Sequence, residues 1–421
     1  MRWLRDAMYL SAATATSPVW AWRMHRTGKL RTDWKARFGE GEALARTGRP
    51  RILIHAVSVG EVNAMRQLVQ RLAADPLGPE IVIATTTDTG FARASELYAG
   101  RHPVVRYPFD ASWMVGRFLE RVQPDLVALA ELEVWPNFMQ TCELRGIPVV
   151  VVNGRLSARS FKRYALARPV LASTFRRLHT VLAQNNEYAT RFRHMGVPAG
   201  RVAVTGTMKW DTAQIADAVP GAEELAQEMG IDRSRPLVVA GSTQPQEHRL
   251  LRAAVPKGVQ LLCAPRKPEW FDAAAEELPG CVRRSARRRG SADLFLLDTI
   301  GELRKAYALA QVVVVGRSFF DLHGSDPMEP AALGKPLIMG PRFGDFEDSV
   351  RALREAEALH ICDADRLPAV LRDLLASPER CAAMGRSAQA TVRAHQGATE
   401  RTAEALLGIL ASRPALGHRD A

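Results

Sequence analysis

Short β-branched runs separated by helix-length segments recur in two series along this chain, and that recurrence limits the fold more than any other feature. The first series is Ile52–Val57, Ile81–Thr85, Val104–Tyr107, Leu126–Ala130, Val149–Val152, Val181–Ala183 and Val202–Thr205. The second is Leu237–Ala240, Val259–Cys263, Leu294–Leu297, Val312–Val315, Leu337–Met339 and Leu359–Ile361. Apolar runs of this length, alternating with helical periodicity, predict parallel sheets built from βαβ units. Gly206 to Arg235, containing Pro220 and Gly221, interrupts the pattern and marks a boundary. The division read from it is an apolar segment at 1–22, a first half at 23–206 and a second half at 207–421 that includes a helical tail. The expected fold class is α/β, with two Rossmann-like doubly wound domains facing across a cleft. Each domain would present its strand carboxyl ends as a ligand site.

Composition narrows the function classes. Of 421 residues, 47% are hydrophobic and 24% charged, which fits a globular chain. Five cysteines, with no Cys-x-x-Cys pair, argue against a zinc ribbon or a disulfide framework. The formal charge of +12 calls for an anionic partner. No helix-turn-helix, RNP-type strand or Cys/His finger accompanies it, so nucleic acid is not expected. Neither half carries Gly-x-Gly-x-x-Gly after its first strand, and no Walker motif is present. A dehydrogenase and a P-loop enzyme are therefore disfavoured. Ala7 to Trp22 is mostly apolar, with arginines on both sides and Trp3, Tyr9, Trp20 and Trp22 among them. It is short for a spanning helix and suits one lying at an anionic membrane surface.

The first run leads directly into Ser58-Val59-Gly60-Glu61, after which Val62, Met65, Leu68 and Leu72 recur at helical spacing. Glu61 thus stands where a strand ends and a helix begins, a usual ligand position in open α/β sheets. A carboxylate there can accept a proton from a substrate hydroxyl. Ser58-x-x-Glu61 also matches a capping box, in which Glu61 bonds back to the backbone of Ser58. The pattern alone leaves both roles open.

Other strand ends are polar too. Thr85-Thr86-Thr87-Asp88-Thr89-Gly90 follows the second run, Asp110 the third, Glu131-Leu132-Glu133 the fourth and Asn153-Gly154-Arg155 the fifth. Hydroxyls at such junctions hold an anion or a sugar, or simply cap a helix. In the second half, Gly241-Ser242-Thr243-Gln244, Pro265-Arg266-Lys267 and His323-Gly324-Ser325-Asp326 occupy equivalent places, with Glu329 before a helix. Glycines, hydroxyls and basic groups suit a phosphate. The arginines at 283, 284, 287, 288 and 289 form a run without aromatics, expected as a solvated loop.

Taken together, Ser58-Val59-Gly60-Glu61, Thr85-Thr86-Thr87 with Thr89-Gly90, and Glu131-x-Glu133-x-Trp135-Pro136-Asn137 resemble the Kdo transferase family. Asn153-x-Arg155-Leu156-Ser157, Gln184-Asn185, Lys209-x-Asp211, Gly301-Glu302-Leu303 with Tyr307, and Glu329-Pro330-Ala331 extend the resemblance from about Phe38 to Phe346. It implies a GT-B glycosyltransferase that moves 3-deoxy-D-manno-octulosonic acid (Kdo) from CMP-Kdo onto the lipid A precursor, lipid IVA, without a metal or cofactor. The work would be done at the cytoplasmic face of the inner membrane by a peripheral or N-terminally anchored protein. It further implies Glu61 as general base and Glu131 in support. Arg266, Lys267, Met208, Lys209, Ser325 and Glu329 would contact the donor, and Ser58, Gly60, Thr86, Thr87 and Arg155 the acceptor.

The acceptor-side motifs match the family pattern nearly throughout, whereas the donor side departs from it. The family's Pro-Arg-His reads Pro265-Arg266-Lys267 here, and its Ser-Thr-His reads Ser242-Thr243-Gln244. Its Gly-Gly-His-Asn reads His323-Gly324-Ser325-Asp326, and an Asn near the Gly-Pro turn reads Asp345. A related activated sugar as donor, or a non-catalytic homologue that binds lipid or nucleotide, are the alternatives these departures keep open.

Overall fold

The computed structural model describes residues 32–286 and 292–412, together with residues 6, 7, 11, 14, 16, 17, 22 and 26 before them. Most of the apolar 1–22 segment, and arginines 287–289, lie outside the described residues. Among the described residues no helix is long and apolar enough to cross a membrane.

The chain divides into two compact units, Met1–Asp211 with Gln396–Ala421, and Thr212–His395. The first is built on seven strands: β1 Arg51–His55, β2 Glu80–Thr85, β3 Val104–Arg106, β4 Leu126–Ala130, β5 Val149–Gly154, β6 Thr180–Ala183 and β7 Val202–Val204. They run parallel in the order β3-β2-β1-β4-β5-β6-β7. Register is set by pairs such as Ile52 against both Ile81 and Leu126. Alternate strand residues serve opposite faces. Leu53, Val82 and Val127 join one core, while Ile52, Ile54, Ile81 and Leu126 join the other. Helices cover both faces, which is why the runs are continuously apolar rather than alternating.

The second unit repeats the plan with β8 Leu237–Thr243, β9 Gln260–Pro265, β10 Val282–Arg283, β11 Leu294–Leu296, β12 Val312–Val315, β13 Leu337–Met339 and β14 Leu359–Ile361. Its order is β10-β11-β9-β8-β12-β13-β14. The two-residue β10 has no sequence signal of its own. Arg283 and Arg284, expected in a solvated loop, are ion-paired instead: Arg283 with Asp272 and Asp298, Arg284 with Glu228 and Glu302.

In each sheet the chain first winds one way and then the other. The direction reverses between β1 and β4 in the first unit and between β8 and β12 in the second. At such switch points the loops on either side part, leaving a crevice at the strand carboxyl ends.

The sequence division assigns the whole tail to the second half, but the structure returns its last helix, Ala398–Ala411, to the first unit. The Asp211 carboxylate accepts from the N–H groups of Gly397 and Thr399 at 2.7 and 2.5 Å, capping that helix. Ala403, Leu406 and Leu410 enter the first unit's core, and Arg71 pairs with Glu400 at 2.8 Å. Asp211, noted in sequence as part of a motif, therefore has a structural task.

Candidate active site

After β1 the chain passes Ala56 and Val57 and enters the helix Val59–Ala64, capped by Ser58. The Glu61 carboxylate folds back over this turn. Its Oε2 accepts from the Val57 N–H at 2.8 Å, and its Oε1 accepts from the Ser58 hydroxyl at 3.1 Å. The capping box is thus displaced by one residue, since the backbone donor is Val57 and not Ser58. Capping and catalysis do not compete here, because the bonds that cap the helix also hold the carboxylate at the β1–β4 switch point.

The electrostatics set this carboxyl apart. Burial pushes Glu61 up to about 7; the Val57 bond opposes, the charge of Glu131 adds, the Ser58 bond opposes and Glu133 adds. A base with a value near neutrality is suited to proton transfer at neutral pH. Glu131 directly follows β4, with φ +56°. Glu133 is also pushed up by burial, and its Oε2 accepts from the Trp135 indole at 2.8 Å. A cavity of about 480 Å³ opens beside Glu133, lined also by Trp135, Arg163 and Tyr164 among others. His55, at the end of β1, does not reach this site. It is fully buried and stacks on Tyr107 with ring centroids 3.7 Å apart.

The remaining acceptor-side residues divide by task. Thr87 is a clasp: its hydroxyl donates to the Val57 carbonyl at 2.8 Å and accepts from the Gly90 N–H at 3.0 Å. The Thr86 carbonyl accepts from Arg37 at 2.8 Å. Arg155 is exposed, with its N–H on the Glu131 carbonyl at 3.3 Å. Gly60 is exposed and has open space around it. Asp110 caps the helix Pro136–Leu144 through the N–H groups of Asn137 and Phe138.

The donor-side residues fall in both units. Met208 follows β7 by four positions. It is buried in the first unit's core, and its N–H donates to Asn153 Oδ1 at 3.2 Å. Lys209, beside it, is exposed. In the second unit Arg266 is exposed just past β9, its N–H on the Thr243 carbonyl at 3.0 Å. Lys267 is engaged within its own loop, paired with Glu269 at 3.3 Å and lying 5.0 Å from the Trp270 ring centroid. Ser325 is buried, accepting from Arg317 Nε at 3.0 Å and donating to the Ser242 carbonyl at 3.2 Å. Burial raises the Glu329 carboxyl, with Arg304 opposing and Asp326 adding. The Tyr307 phenol is raised by burial, with the charges of Glu329 and Asp326 adding and its bond to Ser242 and the charge of Arg266 opposing. Tyr307 sits so close to β8 that a Cβ on Gly241 would lie 2.0 Å from its hydroxyl.

Two residues escaped the sequence reading. Glu247 looks like an ordinary helix-start carboxylate, yet it is fully buried and accepts from four backbone N–H groups, of Gln244, Arg317, Ser318 and Phe319. Arg317 carries no motif and is distinguished by its backbone, at φ +57°. Among the described residues six non-glycines take a positive φ, and four of them, Glu131, Asn153, Ser242 and Arg317, lie at strand carboxyl ends. Each costs about 1–2 kcal/mol, and such strain gathers at functional sites.

Residues 32–212 match the family model described as 3-Deoxy-D-manno-octulosonic-acid transferase (kdotransferase). The 3-deoxy-D-manno-octulosonic acid transferase of Bordetella pertussis is 33% identical over 95% of this chain and 98% of its own. The Haemophilus influenzae enzyme of the same name is 31% identical over 84% and 86%. Among solved structures, Anabaena HepE in complex with UDP superposes with a TM-score of 0.56, covering 87% of this chain and 100% of that one at 13% identity. That likeness is one of fold, and the fold is the GT-B type that the sequence led us to expect. At 33% identity to the Bordetella pertussis enzyme over nearly the whole of both chains, this chain belongs to the 3-deoxy-D-manno-octulosonic acid transferase family.

Proposed function

We propose that this protein transfers Kdo from CMP-Kdo to the lipid A precursor by an inverting single displacement. Glu61 takes the proton of the acceptor hydroxyl as that oxygen attacks the anomeric carbon. The bond from that carbon to the CMP phosphate breaks, and CMP leaves with the electron pair. The observation that carries the reading is the Glu61 carboxylate itself, fixed by Val57 and Ser58 at the β1–β4 switch point and held up at about 7. Burial above all, with the charges of Glu131 and Glu133 adding, keeps it basic enough to accept a proton, and the cavity beside Glu133, with Arg163 in its wall, suits a phosphorylated sugar.

A membrane-facing surface on the first unit supports a lipid acceptor. The helix Ala158–Leu166 half-buries Phe161 and Tyr164 against the core, whereas Leu166 and Val170 are 86% and 76% exposed. Arg159, Lys162, Arg163 and Arg168 share the stretch. Exposed aliphatics among cations suit an anionic bilayer, where apolar burial and charge attraction add. The described residues thus offer a second membrane contact besides the one expected of 1–22.

The test is direct. Purified protein is incubated with lipid IVA and CMP-Kdo, beside other activated sugars, and the glycolipid products are weighed by mass spectrometry. A product heavier by one or more Kdo residues is expected. Absence of product with every donor would sink the enzyme reading, and product with another sugar alone would sink the choice of Kdo.

A further inference from the structure

β12 ends at Val315, and the chain turns through Gly316-Arg317-Ser318 at the switch point of the second sheet. Glycine reaches a φ of +57° without strain, whereas arginine does not. The turn is nonetheless pinned on every side. The buried Glu247 carboxylate accepts from the N–H groups of Arg317 at 2.8 Å and Ser318 at 2.9 Å, and the Arg317 carbonyl accepts from Gly324 at 2.9 Å. Gly316 lies so close to β8 that a Cβ there would stand 2.6 Å from Thr243 Cα. A strained conformation so heavily over-determined points to a use for the side chain it carries.

That side chain is aimed by a relay. Arg317 Nε donates to the Ser325 hydroxyl, which donates to the carbonyl of Ser242, itself at φ +54°. Two strained residues, one from each strand that borders the crevice, are joined through one buried serine. The guanidinium is thereby held against the ends of β8 and β12, where a doubly wound sheet takes its ligand. Ser325 is also the position at which the family pattern has a histidine, so a small residue stands where a larger one is usual and the arginine packs against it.

We propose that Arg317 is a donor-binding residue of this chain, its guanidinium gripping the phosphate of the cytidine nucleotide. The planar fork matches a phosphate through paired N–H donors, which neither serine nor a single ammonium supplies. The backbone strain is kept because no other residue of the turn puts a cation at that point. This inference rests on the reading of the donor as a CMP-sugar.

Titration calorimetry of the full-length protein with CMP and with cytidine tests it, on wild type, Arg317→Gly and Arg317→Lys, with thermal unfolding in parallel. Arg317→Gly is expected to weaken CMP binding by ~10- to 100-fold, as loss of a charge-assisted bond does, and to leave cytidine binding unchanged. Its melting temperature should equal or exceed that of wild type, because glycine relieves the turn. Arg317→Lys should fall between the two. Equal CMP affinity in wild type and Arg317→Gly would overturn the proposal while leaving a nucleotide site in place. Weakened binding of both ligands with a lowered melting temperature would also overturn it, as a loop-holding role predicts that. A wild type that binds neither ligand would remove the CMP-sugar reading itself.

Discussion

Glu61 and Glu131 follow β1 and β4, the two strands on either side of the first sheet's switch point, and the charge on Glu131 helps to hold the Glu61 carboxyl up at about 7. The sheet order brings them together, since 69 positions of chain, including β2 and β3, are wound away to one side between them. The pairing makes the pH response of the enzyme a readout of its geometry.

Glu61→Gln should abolish most transfer and spare the fold. Glutamine keeps an acceptor for the Val57 N–H and a donor for the Ser58 oxygen, so the cap survives. Loss of a general base costs about 10²- to 10⁴-fold in kcat. Because the folded value lies above the ordinary 4.5, the folded state holds this proton more tightly than the unfolded chain does. The group's contribution to stability is therefore full below about 4.5 and lost as pH rises to about 7. At pH 8 the variant should melt at or above the wild-type temperature. Steady-state kinetics and calorimetric melts check both halves, and retained turnover would leave Glu61 as a cap alone.

The acidic limb of the rate profile should fall near pH 7 in wild type and move down when a like charge is removed. Glu131→Gln should move it further than Glu133→Gln, because Glu131 is the larger of the two neighbouring influences. The glutamine at 131 keeps the same strained backbone, so a shift of the limb reports charge and not refolding. A limb that stays in place in both variants would mean that neither carboxylate acts on Glu61. The measurement is kcat/KM against pH at constant ionic strength.

The fold was legible because parallel strands buried on both faces are written as continuous apolar runs, such as Val149 to Val152. Among the described residues thirteen of the fourteen strands fall on runs read from the sequence, and β10 does not because two residues at a sheet edge need no such run. Glu61 was legible as a candidate because it lies in the first turn of the helix that follows a strand. What its neighbours do was not, since the contribution of Glu131 depends on which strands lie side by side. The return of the Ala398–Ala411 helix to the first unit was hidden for a similar reason: its cap, Asp211, lies 187 positions before its first residue. Glu247 and Arg317 were missed because a buried carboxylate's partners and a backbone angle leave no mark in the sequence.

Two glycines of the acceptor side should respond to alanine in opposite ways. A Cβ on Gly90 would stand 2.7 Å from the Val57 carbonyl and 2.8 Å from the Thr87 hydroxyl, so the Val57 clasp must move. Gly90→Ala should lower stability by about 1–3 kcal/mol, the usual cost of overpacking. A Cβ on Gly60 would meet only the Ser58 hydroxyl, at 3.9 Å, so Gly60→Ala should fold normally. If the open space there belongs to the acceptor sugar, this second variant raises KM for the lipid and leaves its melt unchanged. Unchanged kinetics in Gly60→Ala would remove Gly60 from the acceptor site.

The exposed Leu166 and Val170 should matter only in the presence of lipid. In water, replacing either by glutamate buries no charge, so the melt should stay within about 0.5 kcal/mol of wild type. On a bilayer the same change removes apolar contact and sets a negative charge against anionic headgroups. Each aliphatic buried at the interface contributes about 1–2 kcal/mol, so the double variant should lose ~30- to 1000-fold in affinity for anionic vesicles. Co-sedimentation with phosphatidylglycerol vesicles measures this, and neutral vesicles separate the apolar from the electrostatic share. Unaltered binding would mean that this face does not meet the membrane and would leave the N-terminal segment to account for any attachment.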